Sequence, residues 1–143
     1  MQLHVFADAS TKAYGTVVLL SCPEQTIFVM AKGRVAPLKR ITLPKLELMP
    51  AVIAARLARF VVESLGQNVS VHLSTDSQIV LFWLQSNKFL PQFISHRVGE
   101  IQQLIPSATW RHCPTADNPA DLLTRGLSFE QFSISSLWWH GPE

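Results

Sequence analysis

Residues 69–76 read Val69-Ser70-Val71-His72-Leu73-Ser74-Thr75-Asp76, and the fold turns on this stretch. Val69, Val71, Leu73 and Thr75 alternate with Ser70, His72 and Ser74, which predicts a strand with one face favouring burial. The strand ends on a carboxylate. Immediately after it, Asp76 or Ser77 can cap a short helix through Leu84. Immediately before it, Thr42-Leu43-Pro44 opens a run rich in Ala, Leu and Arg that continues to about Leu65 and stops at Gly66, the signature of a long helix. Pro50 falls inside that helix and is expected to kink or weaken its first turns, because proline lacks a donor and clashes one turn back.

Working outward, Leu3 to Asp8, Tyr14 to Ser21 and Thr26 to Lys32 are β-rich runs with short polar connections, so they predict an antiparallel meander. Downstream, Pro91 to Leu104 reads as a helix, Ala108 to His112 as a last strand, and Asn118-Pro119 opens a short final helix. Three strands, helix, strand, helices, strand, helix is an α/β order. It implies a mixed five-stranded sheet, three antiparallel strands then two parallel, flanked by helices. The expected domain spans residues 1–126. From Gly126 the chain turns Ser-rich, and residues 127–143 read as a C-terminal tail whose adjacent Trp138 and Trp139 need cover.

With 143 residues, 48% of them hydrophobic and 15% charged, the composition fits one folded domain and excludes a disordered chain. The net charge of +2 is too small to imply nucleic-acid binding by itself. Its distribution says more: Lys32, Arg34, Lys39, Arg40 and Lys45 share one stretch with no acid, either a solvated loop or a phosphate-contacting patch. Cys22 and Cys113 form no CxxC pair, which argues against a disulfide framework or zinc site and for a reducing compartment. No signal peptide is visible, and Arg56 and Arg59 interrupt the longest helix candidate. The expectation is a soluble cytoplasmic protein, not secreted and not a membrane protein. Without a GxGxxG, dinucleotide-dependent redox chemistry is unsupported.

Only ten residues are acidic, so the placing of four of them is informative. Asp8 and Asp76 each close an apolar strand, where an aspartate also serves as a turn residue or N-cap. If the two strands are parallel neighbours, both carboxylates project into one crevice at their carboxyl ends. Glu47 shares a helical stripe with Ala51, Ala54 and Ala58. Small residues let a helix approach a sheet, so this stripe is expected to face inward, and a desolvated carboxylate without a cation is costly. Asp121 follows the cap Asn118 and Pro119 in the first turn of the last helix, where interaction with the helix dipole would suffice to explain it. Asp117, on the loop side of the same cap, is its competitor.

Taken in order, Asp8, Glu47, Asp76 and Asp121 resemble the Asp-Glu-Asp-Asp set of the ribonuclease H family. Ser74-Thr75-Asp76-Ser77-Gln78 looks like that family's second aspartate motif, and His112-Cys113-Pro114 with Asn118-Pro119-Ala120-Asp121 is similar to the last strand and helix of retroviral ribonuclease H domains. The resemblance is closer to the ribonuclease H region of BEL/Pao-type retrotransposon polyproteins. It is carried by Phe6-Ala7-Asp8-Ala9-Ser10, Lys32-Gly33-Arg34-Val35-Ala36-Pro37, Ile41-Thr42-Leu43-Pro44-Lys45-Leu46-Glu47-Leu48 and the tail Leu137-Trp138-Trp139-His140-Gly141-Pro142-Glu143.

That resemblance implies a ribonuclease H-like fold and metal-dependent cutting of the RNA strand of RNA–DNA hybrids during reverse transcription. It also implies a place in a polyprotein between reverse transcriptase and integrase regions. Asp8, Glu47, Asp76 and Asp121 would be catalytic residues and ligands of two Mg²⁺ or Mn²⁺ ions, about 3.5–4 Å apart in such sites. Ser10, Ser77 and Gln78, beside the acids, would contact sugar oxygens, and Lys32, Arg34 and Lys45 would hold phosphates. Integrase and transposase cores share the architecture but place their glutamate last. Two departures support an alternative, a decayed non-catalytic domain that binds nucleic acid or acts as a scaffold. The loop Thr115-Ala116-Asp117 lacks the histidine many ribonucleases H carry, and Pro50 lies one turn from Glu47.

Overall fold

The stretch at residues 69–76 forms a strand in the computed structural model, which describes residues 1–37, 41–66, 68–86, 88–125 and 129–142. In chain order the strands are β1 (Gln2–Ala9), β2 (Ala13–Cys22), β3 (Gln25–Val35), β4 (Ser70–Thr75) and β5 (Thr109–His112). The helices are α1 (Leu43–Leu65), α2 (Gln78–Gln85), α3 (Gln92–Leu104), α4 (Ala120–Arg125), α5 (Phe129–Ile134) and α6 (Ser136–His140), with one 3-10 turn at Thr115–Asp117. The sheet order is β3-β2-β1-β4-β5. β1 pairs antiparallel with β2 and parallel with β4, and β4 pairs parallel with β5. Residues 7 and 75 stand opposite each other, so Asp8 and Asp76 leave neighbouring parallel strands at the same level.

Strand alternation gives the sheet two faces. Leu3, Val5 and Ala7 of β1, Val18 and Leu20 of β2 and Leu73 of β4 turn toward α1 and form the main core with Leu48, Ala51, Ala54, Ala55 and Ala58. The alanines are fully buried, which lets the helix lie close to the sheet. On the other face Phe6, Val17, Leu19, Cys113, Ala120 and Trp138 form a second cluster. α4 packs so closely there that a Cβ on Gly15 would stand 2.7 Å from Leu123 Cδ1.

α1 ends as expected at Gly66, whose φ of 64° is left-handed, a conformation glycine adopts without penalty. It also runs unbroken through Pro50, the residue expected to kink or weaken its first turns. A proline in a helix interior costs about 3 kcal/mol. Burying each large apolar side chain of α1 returns roughly 1.5–3 kcal/mol, and several are buried, so tertiary packing overrides the local preference. The Pro50 carbonyl is held as well, accepting a hydrogen bond from Thr16 Oγ1 at 2.9 Å.

Two further expectations change. β3 does not stop at Lys32 but continues to Val35, so Lys32 and Arg34 lie on an exposed edge strand rather than in a loop. Beyond the expected final helix the chain forms α5 and α6, and Trp138 is buried against Phe28, with ring centroids 5.2 Å apart. Lys39, Arg40 and the expected boundary at residues 126 and 127 lie outside the described residues.

Ser77, not Asp76, caps α2: its hydroxyl accepts from Val80 N at 3.2 Å. Ser77→Ala is expected to lower stability by about 1 kcal/mol, measurable by urea denaturation; no change would mean that the cap contributes nothing.

Candidate active site

Each of the four acids stands on an element that brings it to the carboxyl end of the β1–β4 pair. Asp8 sits one residue before the end of β1 and is buried. Asp76 follows β4 directly, released from the sheet where the chain turns into α2. Glu47 lies in the second turn of α1 on the alanine stripe that faces the sheet. Asp121 is in the first turn of α4, which crosses β1 and β2 on the opposite face. Carboxylates therefore reach the same end of the sheet from both of its faces.

Their electrostatics record that proximity. Burial pushes the Asp8 carboxyl up to about 7; the Asp76 carboxylate adds to this, a Thr124 hydrogen bond opposes it, and Asp121 contributes further. Glu47 is also raised, first by burial and then, against the pull of the Ser77 hydroxyl, by Asp76. Asp76 is thus the charge that both Asp8 and Glu47 feel. Like charges held together in a desolvated place disfavour their own ionisation.

Protein donors satisfy part of this charge. Thr124 Oγ1 donates to Asp8 Oδ2 at 2.9 Å, and Thr115 Oγ1 donates to Asp76 Oδ2 at 2.8 Å. Arg125 Nε lies 2.6 Å from Asp121 Oδ2. Asp76 Oδ1 is buried with no hydrogen-bond partner. A buried anionic oxygen without a donor is expensive, and it stands where a cation would be most welcome.

Among the described residues no group of three or more His, Cys, Asp and Glu side chains already surrounds a common point as metal ligands do. Three of the four acids have a threonine or arginine partner instead, Asp76 with Thr115, Asp8 with Thr124 and Asp121 with Arg125, while Glu47 has the Ser77 hydroxyl. The donor set itself, clustered carboxylate oxygens with one left unpaired, suits a hard divalent ion.

Asn118 fixes the fourth acid. It is fully buried; its Nδ2 donates to the Ala7 carbonyl at 3.0 Å, and its Oδ1 accepts from Ala120 N at 2.9 Å. One side chain thus pins α4 to the residue before Asp8. Asp117 is exposed in the 3-10 turn, and its charge acts on the Cys113 thiol rather than on Asp8; by position Asp121 is the acid that joins the cluster.

The expected nucleic-acid contacts divide. Ser77 stands beside Glu47, and Gln78 opens α2 with an exposed side chain. The Ser10 hydroxyl is engaged in the β1–β2 turn, accepting from the amides of Lys12 and Ala13. Lys45 Nζ lies 5.3 Å from the centroid of Phe93, a ring that Arg97 also covers. Arg34 lines a small recess with Tyr14, Met49, Arg56, His96 and Arg97, and Lys32 is exposed on the same edge strand. Sequence reasoning missed Thr115, Thr124 and Arg125; only Arg125, four residues after Asp121, carries a visible local signal.

A family model described as "Pao retrotransposon-like RNaseH-like domain" matches residues 1–77, the span from β1 to β4 that holds Asp8, Glu47 and Asp76. No curated protein matches the sequence. Among solved structures, RNase H1 from the halophilic archaeon Halobacterium salinarum is 21% identical with a TM-score of 0.65, covering 86% of this chain and 94% of that one. LC11-RNase H1 in complex with an RNA/DNA hybrid is 15% identical with a TM-score of 0.65, covering 85% and 93%. The foamy viral protease-reverse transcriptase in complex with an RNA/DNA hybrid is 16% identical with a TM-score of 0.50, covering 79% of this chain and 17% of that one. At these identities the structural likenesses establish the fold, and with the family match they fix the assignment: the chain belongs to the Pao retrotransposon-like RNaseH-like domain family.

Proposed function

We propose that this domain cleaves the RNA strand of RNA–DNA hybrids endonucleolytically, with divalent metal ions, during retrotransposon reverse transcription. The carrying observation is the convergence of Asp8, Glu47, Asp76 and Asp121 at the end of the parallel β1–β4 pair, with one buried Asp76 oxygen left unpaired. Asp8, Asp76, Glu47 and Asp121 are the residues that would hold two Mg²⁺ or Mn²⁺ ions. When bound, such ions neutralise phosphate charge and activate water. The chain's own residues would orient the ions and the strand. Thr115 and Thr124 fix one oxygen of Asp76 and of Asp8, leaving the others free to turn inward. Gln78, exposed at the start of α2, would meet sugar oxygens of the cut strand, Ser77, buried as the α2 cap, would act through Glu47, and Lys45, Arg34 and Lys32 would supply charge for its phosphates without reading bases. In the full polyprotein, reverse transcriptase and integrase regions are the neighbours this assignment implies.

The second reading is a domain that binds hybrids without cutting them. It is favoured by the Arg125 ion pair on Asp121 and by the absence, among the described residues, of a ready three-ligand group. The two readings separate in one experiment. Purified protein mixed with a labelled RNA–DNA hybrid should release RNA fragments in Mg²⁺ or Mn²⁺ and none in EDTA, and the same RNA as a single strand should remain whole. Salt-sensitive hybrid binding with no fragments in either metal would overturn the nuclease assignment and leave the binding one.

A further inference from the structure

Cover on the second face of the sheet is uneven. α4 lies over β1 and β2, and α6 lies over β3. Between them and the β5 edge, strand alternation and register place His4, His72, Ser74 and Arg111 on one face. Interior strands of a sheet normally carry apolar residues on both faces, so polar side chains on β1 and β4 mark a surface kept for polar contact. A groove of about 430 Å³ opens there, lined by His4, Ser74, Arg111, His112 and, from the tail, His140.

Three of the chain's five histidines, His4, His112 and His140, line this groove, and a fourth, His72, stacks on His4. The rings of His4 and His72 stack 5.4 Å apart at 22°, and both ring nitrogens of His72 are buried without a hydrogen-bond partner. His140 Nδ1 lies 3.1 Å from the Thr26 carbonyl, which orients its ring at the groove wall. The Arg111 side chain takes part in no hydrogen bond or ion pair among the described residues. Paired imidazoles could hold a soft cation, but Arg111 decides the sign. Burial holds both His4 and His72 below the usual histidine range; for His72 the Arg111 charge comes next, and for His4 the charge of His72 precedes that of Arg111. A dication would be repelled by the same charge, and an anion attracted. Among the described residues, the groups facing the bound anion would be Arg111 and His112 from β5, His4 from β1, His140 from α6 and a single acid, Asp117, with His72 of β4 stacked on His4.

We propose that this groove binds a phosphate of a nucleic-acid strand running past the carboxylate site. The guanidinium of Arg111 would be the principal contact, because its planar fork matches phosphate oxygens. The assignment of a strand, rather than a small phosphate, rests on the nuclease reading and on continuity. Pro114 and Asp117 form one end of the groove, and they flank Thr115, which donates to Asp76.

The test uses metal-free protein in EDTA, so it does not depend on cleavage. Imidazole proton resonances are followed while a single-stranded DNA of about a dozen nucleotides, or inorganic phosphate alone, is added at low salt. DNA should shift the resonances of His4, His72 and His140 and bind more tightly at pH 6 than at pH 8, since the anion favours the imidazolium forms. Arg111→Gln, an exposed substitution, should weaken binding about tenfold and reduce the salt slope by roughly one; Arg111→Lys should restore most of the affinity. Resonances of His4 and His140 that stay still at saturating DNA, or an Arg111→Gln protein that binds as well as the parent, would overturn the proposal. Shifts with inorganic phosphate and none with DNA would overturn the strand assignment. Failure of the nuclease reading would appear only in the hybrid cleavage assay.

Discussion

Asp8→Asn is expected to stabilise the metal-free protein while abolishing hybrid cleavage. The Asp8 carboxyl is raised from 3.8 to about 7, with burial as the larger cause and the Asp76 carboxylate next. An acid whose folded pKa lies above its unfolded value binds its proton more tightly in the native state. Stability from this group is therefore fully present below the unfolded value and is lost as pH rises from about 4 to about 7. At pH 8 the charged form costs the fold roughly 2–4 kcal/mol by that linkage. Asparagine removes the charge and can donate from its amide toward the carboxylate oxygens of Asp76, one of which has no partner.

Thermal unfolding in EDTA should show the variant melting about 5–10 °C higher at pH 8, with the advantage shrinking toward pH 4, where aspartate is neutral as well. Cleavage in Mg²⁺ should fall about a thousandfold, the scale expected when a pre-organised charge at a reacting phosphate is removed. Asp76→Asn should abolish cleavage likewise. A lower melting temperature for Asp8→Asn at pH 8 would show that Asp8 is a structural residue, and persistent cleavage in either variant would remove that acid from the proposed site. Opposed effects on stability and activity distinguish a functional carboxylate from a structural one.

Much of this site was legible in the sequence because its acids terminate regular elements. Strand alternation ending on Asp8 and on Asp76 needs only local pattern, and the helix carrying Glu47 announces its face through Ala51, Ala54 and Ala58. The mixed sheet of three antiparallel strands and two parallel ones follows from the same signals, while the adjacency of β1 and β4 is a condition in the sequence that the structure supplies. What stayed hidden is long-range. Thr115 lies 39 residues from Asp76, and Thr124 lies 116 residues from Asp8; no local rule pairs a hydroxyl with a carboxylate across such distances. The continuation of β3 through Arg34 was missed because an edge strand with exposed polar residues resembles a loop in composition. Pro50 misled in the other direction, a local penalty outweighed by the burial of the helix around it. The basic stretch reads equally as a solvated loop or a phosphate-contacting patch; the fold puts Lys32 and Arg34 on a sheet edge and Lys45 on α1 beside Phe93, and Arg97, which covers that ring, also lines the recess of Arg34.

Asn118→Ala is expected to cost about 2–4 kcal/mol and to weaken cleavage beyond what partial unfolding explains. The substitution leaves the buried Ala7 carbonyl without its donor, worth about 1–3 kcal/mol, and removes the cap on Ala120 N, worth about 1 kcal/mol. Both bonds are fully buried. α4 has only six residues, too few to persist as a helix without tertiary support, so its placing depends on what ties it down. That helix carries Asp121 and also Thr124, whose hydroxyl holds Asp8. Loosening it should release two of the four acids from their relative positions at once. Asn118→Asp sharpens the test, since it keeps the acceptor for Ala120 N but exchanges the donor to Ala7 for a buried negative charge. Urea denaturation should place it at or below the alanine variant. If the two losses were additive and independent of α4, Asn118→Asp would instead recover the cap and stand above it. Hybrid cleavage measured well below the unfolding midpoint should fall for both variants, and an Asn118→Ala protein as stable as its parent would mean that α4 is held by other contacts and that Asp121 owes its position to them.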